Sequence, residues 1–152
     1  MFKLTLHRPK FLGAYDPEDT SVSEAIYSIY EVDDGELELD WNGCKIFLTL
    51  NSFSDIYNDI ENMLEQMSLG RSFVQHFLCS AFTATWVIKI ASPYVEVTSS
   101  WVAVSGGALA MEELKNSPDS VIMLKDDFVK LWSDLLISIR VDLKTQGYQH
   151  LI

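Results

Sequence analysis

The dipeptide Asn42-Gly43 limits how this chain can fold more than any other feature. Asn followed by Gly readily adopts the two left-handed conformations of a type I′ turn, which joins antiparallel strands through a two-residue loop. Such a loop places Trp41 opposite Cys44, and the rest of the register follows. The apolar side chains of residues 37–41 and 44–48 then share one face, and the acidic side chains share the other. The sequence therefore predicts a hairpin with one dry face and one acidic face.

The segments on either side of this hairpin predict further elements. Residues 2–7 alternate between apolar and polar and indicate a short strand, and the proline-containing segment 9–19 indicates a loop. Ser21 and Glu24 have the spacing of a capping box, which favours a helix through Tyr30. A strand over residues 27–32, turning at residues 33–35, is the alternative that the pattern leaves open. After the hairpin, Ser52 or Ser54 can cap a helix that runs to about Ser68.

The second half of the chain is richer in strand-forming residues. Residues 73–104 predict three to four antiparallel strands, and residues 121–124 predict a short apolar strand. Between them, residues 111–114 could form one turn of helix. A long amphipathic helix is predicted from near Asp126 to Gly147. The expected fold is a single α+β domain over residues 1–152, with an antiparallel sheet of about five to seven strands packed by two main helices.

The net charge of −11 is concentrated in one segment. Residues 11–70 contain fourteen Asp and Glu residues and one base, Lys45, and so carry −13, while the rest of the chain carries +2. Nucleic-acid binding requires the opposite sign, because basic groups must neutralise phosphates. The charge therefore argues against direct contact with nucleic acid or an anionic membrane and favours a basic protein partner. The alternative is an acidic surface that serves only solubility.

Catalytic and targeting motifs do not emerge from the sequence. It contains no P-loop, dinucleotide fingerprint, zinc spacing or nucleophile elbow, so no catalytic residue, cofactor or metal site is predicted. No apolar run reaches the roughly 20 residues that span a bilayer. Two cysteines, Cys44 and Cys79, are too few to cross-link a secreted domain, which favours a cytoplasmic location.

The acidic segment supplies the candidate binding surface. Alternation places Glu36, Glu38 and Asp40 together on the outer face of the first hairpin strand, with Phe47 from the second strand among them. Further carboxylates lie at the preceding turn and on the exposed side of the following helix. The expected partner-binding residues are Asp33, Asp34, Glu36, Glu38, Asp40, Phe47, Asp55, Asp59, Glu61 and Glu65.

Three stretches together resemble a known class of proteins. Residues 23–67 contain a WNG hairpin followed by an acidic SDIYNDI helix, the middle of the chain has Trp-bearing strands, and residues 121–148 contain the pattern FxxxWxxLLxxIxxDL. Such chains resemble the small acidic immunity proteins encoded beside bacterial contact-dependent growth inhibition systems and other polymorphic toxins. The resemblance implies a non-enzymatic cytosolic protein that binds and neutralises one cognate toxin domain, commonly a nuclease with a basic active site.

Two other functions remain open at this stage. A small hydrolase could use carboxylates of residues 33–40, with or without a divalent metal ion, because clustered carboxylates bind such ions. The chain could also be an adaptor within a larger bacterial complex. Immunity proteins of this kind share no catalytic residues, so the choice of the ten candidate residues is based on charge and alternation alone.

Overall fold

The computed structural model describes all residues from Met1 to Ile152, and its strands and helices are interspersed along the chain. The strands are β1 (Phe2–His7), β2 (Glu36–Trp41), β3 (Cys44–Thr49), β4 (Phe73–Cys79), β5 (Phe82–Ala91), β6 (Tyr94–Val104) and β7 (Ser120–Leu124). The helices are α1 (Val22–Ile29), α2 (Leu50–Phe53), α3 (Tyr57–Ser68), α4 (Gly107–Lys115) and α5 (Lys125–Thr145), and a 3-10 turn follows at Gln149–Leu151.

The strands form two antiparallel sheets, β1-β2-β3 and β4-β5-β6-β7. The hairpin of β2 and β3 has the predicted register throughout, from Trp41 opposite Cys44 to Leu37 opposite Leu48. Asn42 and Gly43 have φ angles of 50° and 88°, as a type I′ turn requires. The α+β class and the number of strands are confirmed. Their division into two sheets was not anticipated, because local patterns do not specify which distant strands pair.

One hydrophobic core connects the two sheets and the last helix. The ring of Trp41 lies 6.1 Å from Phe2 and 5.6 Å from Trp86 of the larger sheet, and Trp86 lies 6.2 Å from Trp132 of α5. These aromatic pairs bury large apolar areas in tilted or edge-to-face arrangements. The predicted apolar stripe of α5 is buried here, and the helix begins at Lys125, one residue before the expected start.

The first helix is confirmed, and the alternative strand over residues 27–32 is wrong. The hydroxyl of Ser21 accepts a hydrogen bond from the backbone N–H of Glu24, so the predicted cap is present. Ala25, Ile26 and Ile29 are all buried, a spacing that only a helix can direct toward one core. Beyond the last residue of α1, the Tyr30 N–H still bonds to the carbonyl of Ile26.

The segment after the hairpin is interrupted, whereas the sequence predicted one helix capped by Ser52 or Ser54. Thr49 is the actual cap, since its hydroxyl accepts from the backbone N–H of Ser52 and so starts α2 directly after β3. The Ser54 hydroxyl donates to the carbonyl of Asn51, a local bond that competes with helix continuation. A new helix, α3, then begins at Tyr57 and ends at Ser68 as expected.

The connection between β6 and β7 is more regular than the sequence indicated. The helical turn expected at residues 111–114 is a nine-residue helix, α4, that begins directly after Gly106. The segment that follows contacts the hairpin: Asn42 Nδ2 donates to the carbonyl oxygens of Pro118 and Ser120 at 2.9 Å each. Trp41 Nε1 also donates to the Pro118 carbonyl at 3.2 Å. The Asn42-Gly43 turn therefore fastens the smaller sheet to the start of β7.

Candidate functional site

The outer face of the hairpin contains acidic residues, but its charge is mixed. Glu36, Glu38 and Asp40 are half-buried on that face, as predicted, while the intervening residues of β2 are buried. Strand β1 lies alongside and brings Lys3 opposite Asp40 and His7 opposite Glu36. The local sequence pattern does not place these basic residues beside the carboxylates, because the β1–β2 pairing joins distant parts of the chain.

Glu38 is the most neutralised of the three strand carboxylates. Its Oε1 atom lies 3.0 Å from Lys45 Nζ and its Oε2 atom lies 3.5 Å from His7 Nε2. The hydrogen bond with Lys45, supported by His7, holds the pKa of Glu38 below its ordinary value. Only 15% of the Glu38 side chain is exposed, so this residue pairs mainly within its own sheet and offers little surface to a partner.

Two further candidate carboxylates accept hydrogen bonds from backbone N–H groups. The carboxylate of Asp34 accepts hydrogen bonds from the backbone N–H groups of Lys10 and Phe11, and so fixes the start of the loop after β1. Asp40 Oδ1 accepts from the Gly43 N–H at 2.8 Å within the hairpin turn. By contrast, Asp33 is exposed and forms no ion pair, and Phe47 is partly exposed on the outer face of β3.

The acidic residues of α3 form a separate group. This helix packs against β4 and α5, which places it on the larger sheet and away from the outer face of the hairpin. Glu61 Oε1 lies 3.6 Å from Arg140 Nη2, while burial raises the pKa of Asp59 and opposes its ionisation. Asp55 and Glu65 are exposed and form no ion pair. The ten candidate residues are thus divided between two surfaces.

Taken together, the acidic segment remains open to solvent. None of its fourteen carboxylates is buried, and within residues 11–70 only Glu38 and Glu61 form ion pairs with basic side chains. Carboxylates that neither the core nor a basic neighbour neutralises keep their full attraction for a cation. The free charge lies less on the hairpin face than the sequence analysis expected.

A groove beside α1, which the sequence did not predict, contains two of the free charges. We call it the α1 groove: it has a volume of about 540 Å³ and lies between residues 14–17 of the loop and residues 27–32 at the end of α1. Asp16 and Glu31 line it together with the exposed rings of Tyr15 and Tyr27. No sequence pattern indicated this groove, because Glu31 follows the end of α1 and residues 14–17 have no regular period.

The loop wall of the α1 groove is tied to two other elements. The Gly13 N–H donates to the Ile29 carbonyl at 2.6 Å, and Gln146 Nε2 donates to the Gly13 carbonyl at 2.7 Å. The hydroxyl of Tyr148 accepts from the Asp16 N–H and donates to Asp19 Oδ2 at 2.6 Å. Segment 9–19 is therefore a loop, as predicted, but one held against α1 and the end of α5.

A network centred on the buried carboxylate of Asp142 lies near this region, with Arg8 half exposed. Asp142 accepts from Arg8 Nη2 and from the hydroxyl of Tyr30, both at 2.6 Å. Burial, and then the bond to Asp142, raises the pKa of Tyr30. The hydrogen bond with Asp142 likewise raises the pKa of Arg8. Both donors stay protonated at neutral pH, so the network joins the end of β1, the end of α1 and α5.

No group of three or more His, Cys, Asp or Glu side chains converges in a way that could hold a metal ion. None of the helices combines the length and apolar character needed to cross a bilayer. Comparison with models of known protein families, with characterised proteins and with solved structures finds no match to this chain.

Proposed function

We propose that this protein acts in the bacterial cytoplasm as an immunity protein, which binds and neutralises a basic toxin domain with nuclease activity. The observation that carries the proposal is the exposure of the acidic segment: residues 11–70 hold −13 of formal charge with none of their carboxylates buried. The resemblance of residues 23–67 and 121–148 to small acidic immunity proteins supports the same function.

The physical basis is competition for a basic active site. A nuclease binds its substrate through basic residues that neutralise phosphates, so a rigid surface of carboxylates fits the same residues. Opposite potentials also accelerate encounter, which matters for an inhibitor that must act before nucleic acid is cleaved. The free carboxylates best suited to this contact are Asp33, Asp55 and Glu65, together with those of the α1 groove.

The proposal is tested by co-expressing the protein with the product of the gene immediately upstream. We expect a complex that survives purification, and loss of the toxicity or nuclease activity of that product in proportion to the amount of protein added. A charge-reduced variant, Asp33→Asn with Asp55→Asn and Glu65→Gln, should bind more weakly. Glu112→Gln with Glu113→Gln, which removes two charges, is the control, since these exposed residues of α4 lie outside the acidic segment.

Two outcomes would contradict the proposal. If the protein forms no complex with that product or with any other toxin domain, it is not an immunity protein. If it forms a complex but leaves the activity intact, it is an adaptor and not an inhibitor.

A further inference from the structure

We propose that the α1 groove receives an arginine side chain of the bound toxin domain and so anchors the complex. The inference rests on the proposed function and deepens it, because it names the place on the acidic surface where one basic residue of the partner is recognised. Four features of the groove point to this occupant: its size and aromatic walls, its charge, an open acceptor on its floor, and its rigidity.

The size and walls of the groove suit a long basic side chain. The groove has a volume of about 540 Å³ and is wide open to solvent, so a side chain presented from another protein surface can enter it. Tyr27, 61% exposed, and Tyr15, 44% exposed, present aromatic surface from opposite walls. A guanidinium group is attracted to the face of such rings, more strongly as water is displaced. Tyrosine is also among the residues that dominate binding energy at protein interfaces.

The charge of the groove selects a cation. Asp16 and Glu31 line it, neither forms an ion pair, and no Lys or Arg is among its lining residues. The groove also lies at the C-terminal end of α1, where the helix dipole is negative, and the last turn of α1 contains no basic residue. A basic side chain of the partner would supply the positive charge that the groove lacks.

The floor of the groove provides an open hydrogen-bond acceptor. Asn51 lines the groove and is 8% exposed. Its Nδ2 group donates to the carbonyl oxygens of Tyr27 and Tyr30, at 3.0 and 2.8 Å, which fixes the orientation of the amide. Nδ2 makes both hydrogen bonds of this side chain, and its Oδ1 atom accepts none within the protein. A guanidinium, with five N–H donors in a planar fork, can bond to this oxygen and to a carboxylate together.

The groove is already formed in the free protein. The Cβ of any other residue at Gly13 would collide with the carbonyl oxygen of Ser28, so the loop is packed directly onto α1. The bonds from Tyr148 to Asp16 and Asp19 hold the rest of the loop wall. Binding in this groove requires little further ordering of the loop, so little conformational entropy is lost, which favours the groove as the anchor of the complex.

The first experiment tests the groove without the toxin. The isotope-labelled protein is titrated with acetyl-Gly-Arg-Gly-amide, and separately with the same peptide carrying citrulline, which has the shape of arginine but no charge. We expect NMR shift changes at Tyr15, Tyr27, Glu31 and the Asn51 side-chain amide with the arginine peptide only. Asp16→Asn with Glu31→Gln should abolish them, whereas Glu112→Gln with Glu113→Gln should not. Equal shifts with both peptides, or shifts confined to α3 or the hairpin, would overturn the inference.

The second experiment uses the toxin domain captured by the wild-type protein. Tyr27→Ala should weaken binding at least about tenfold, as expected for an anchoring aromatic residue. Tyr94→Ala, which removes a similarly exposed tyrosine from the larger sheet, should leave the affinity unchanged. Undiminished binding by Tyr27→Ala would overturn the groove as the anchor and leave the proposed function in place. Failure of the wild-type protein to capture any toxin domain would instead overturn the proposed function.

Discussion

Among the charged residues, Asp142 alone is buried, with 4% of its surface exposed. A carboxylate removed from water is tolerated only when hydrogen bonds and a counter-charge compensate for its lost hydration. Arg8 supplies the charge and Tyr30 supplies a second donor, one to each carboxylate oxygen. Because Arg8 directly follows β1, Tyr30 directly follows α1 and Asp142 belongs to α5, a single side chain fixes how these elements meet.

This arrangement predicts how much each bond stabilises the fold. Replacing Tyr30 with Phe removes one bond to a buried carboxylate and should lower the free energy of unfolding by about 2 kcal/mol. Asp142→Ala leaves the buried Tyr30 hydroxyl unpaired and should cost about 3 kcal/mol. Urea titration of each variant measures both. Tyr27→Phe is the control, since its exposed hydroxyl forms no hydrogen bond within the protein, and equal effects of Tyr27→Phe and Tyr30→Phe would contradict this role.

Glu38 predicts a dependence of stability on pH. Its pKa in the folded protein lies below the ordinary value of 4.5, so the folded state binds this proton less tightly than the unfolded state does. The stabilisation is therefore complete above the unfolded pKa and is lost as the pH falls through the folded pKa. The stability difference between the wild type and Glu38→Gln should be largest at neutral pH and should shrink below about pH 4.5. A difference that stays constant on acidification would show that Lys45 and His7 do not stabilise the ionised form.

At the scale of elements, the β2–β3 hairpin was predictable because turn chemistry and alternation specify the same register within twelve residues. The break between α2 and α3 was not predictable in the same way. Thr49, Ser52 and Ser54 can all cap a helix, and only the end of β3 at Thr49 decides which of them does so. The pairing of β1 with β2 is remote in sequence, which is why the ion pair between His7 and Glu38 was missed. The α1 groove was missed because residues 14–17 follow no period.

The hairpin turn both reverses the chain and attaches the smaller sheet to the start of β7, and one substitution at Asn42 separates these two roles. Asn42→Gly preserves a sequence that accepts left-handed conformations, so the turn itself should persist. The substitution removes both hydrogen bonds from Nδ2 to the carbonyls of Pro118 and Ser120, and should lower the free energy of unfolding by about 2 kcal/mol. Hydrogen exchange should then rise in β7 while the hairpin amides keep their protection. Uniform loss of protection in the hairpin would mean that the side chain is needed for the turn and not for the attachment.

At the scale of the molecule, the distribution of charge matters more than its total. The segment that carries −13 contributes the hairpin, α1 and α3, whereas β1, the whole larger sheet, α4 and α5 come from the part that carries +2. Basic neighbours neutralise the middle of the hairpin face and Glu61 of α3, and they leave free the carboxylates of the loop after β1, of the end of α1, and of Asp55 and Glu65. An association driven by these free carboxylates must be sensitive to salt, because screening shortens the reach of each charge.

The most direct test of the proposed inhibition is the association rate constant for the protein and its toxin domain, measured by stopped-flow fluorescence as sodium chloride is raised. The Debye length falls from about 10 Å at 0.1 M salt to about 3 Å at 1 M. We expect the association rate to fall steeply over this range, and the dissociation rate to change much less. An association rate that does not change with salt would contradict recognition by the acidic surface.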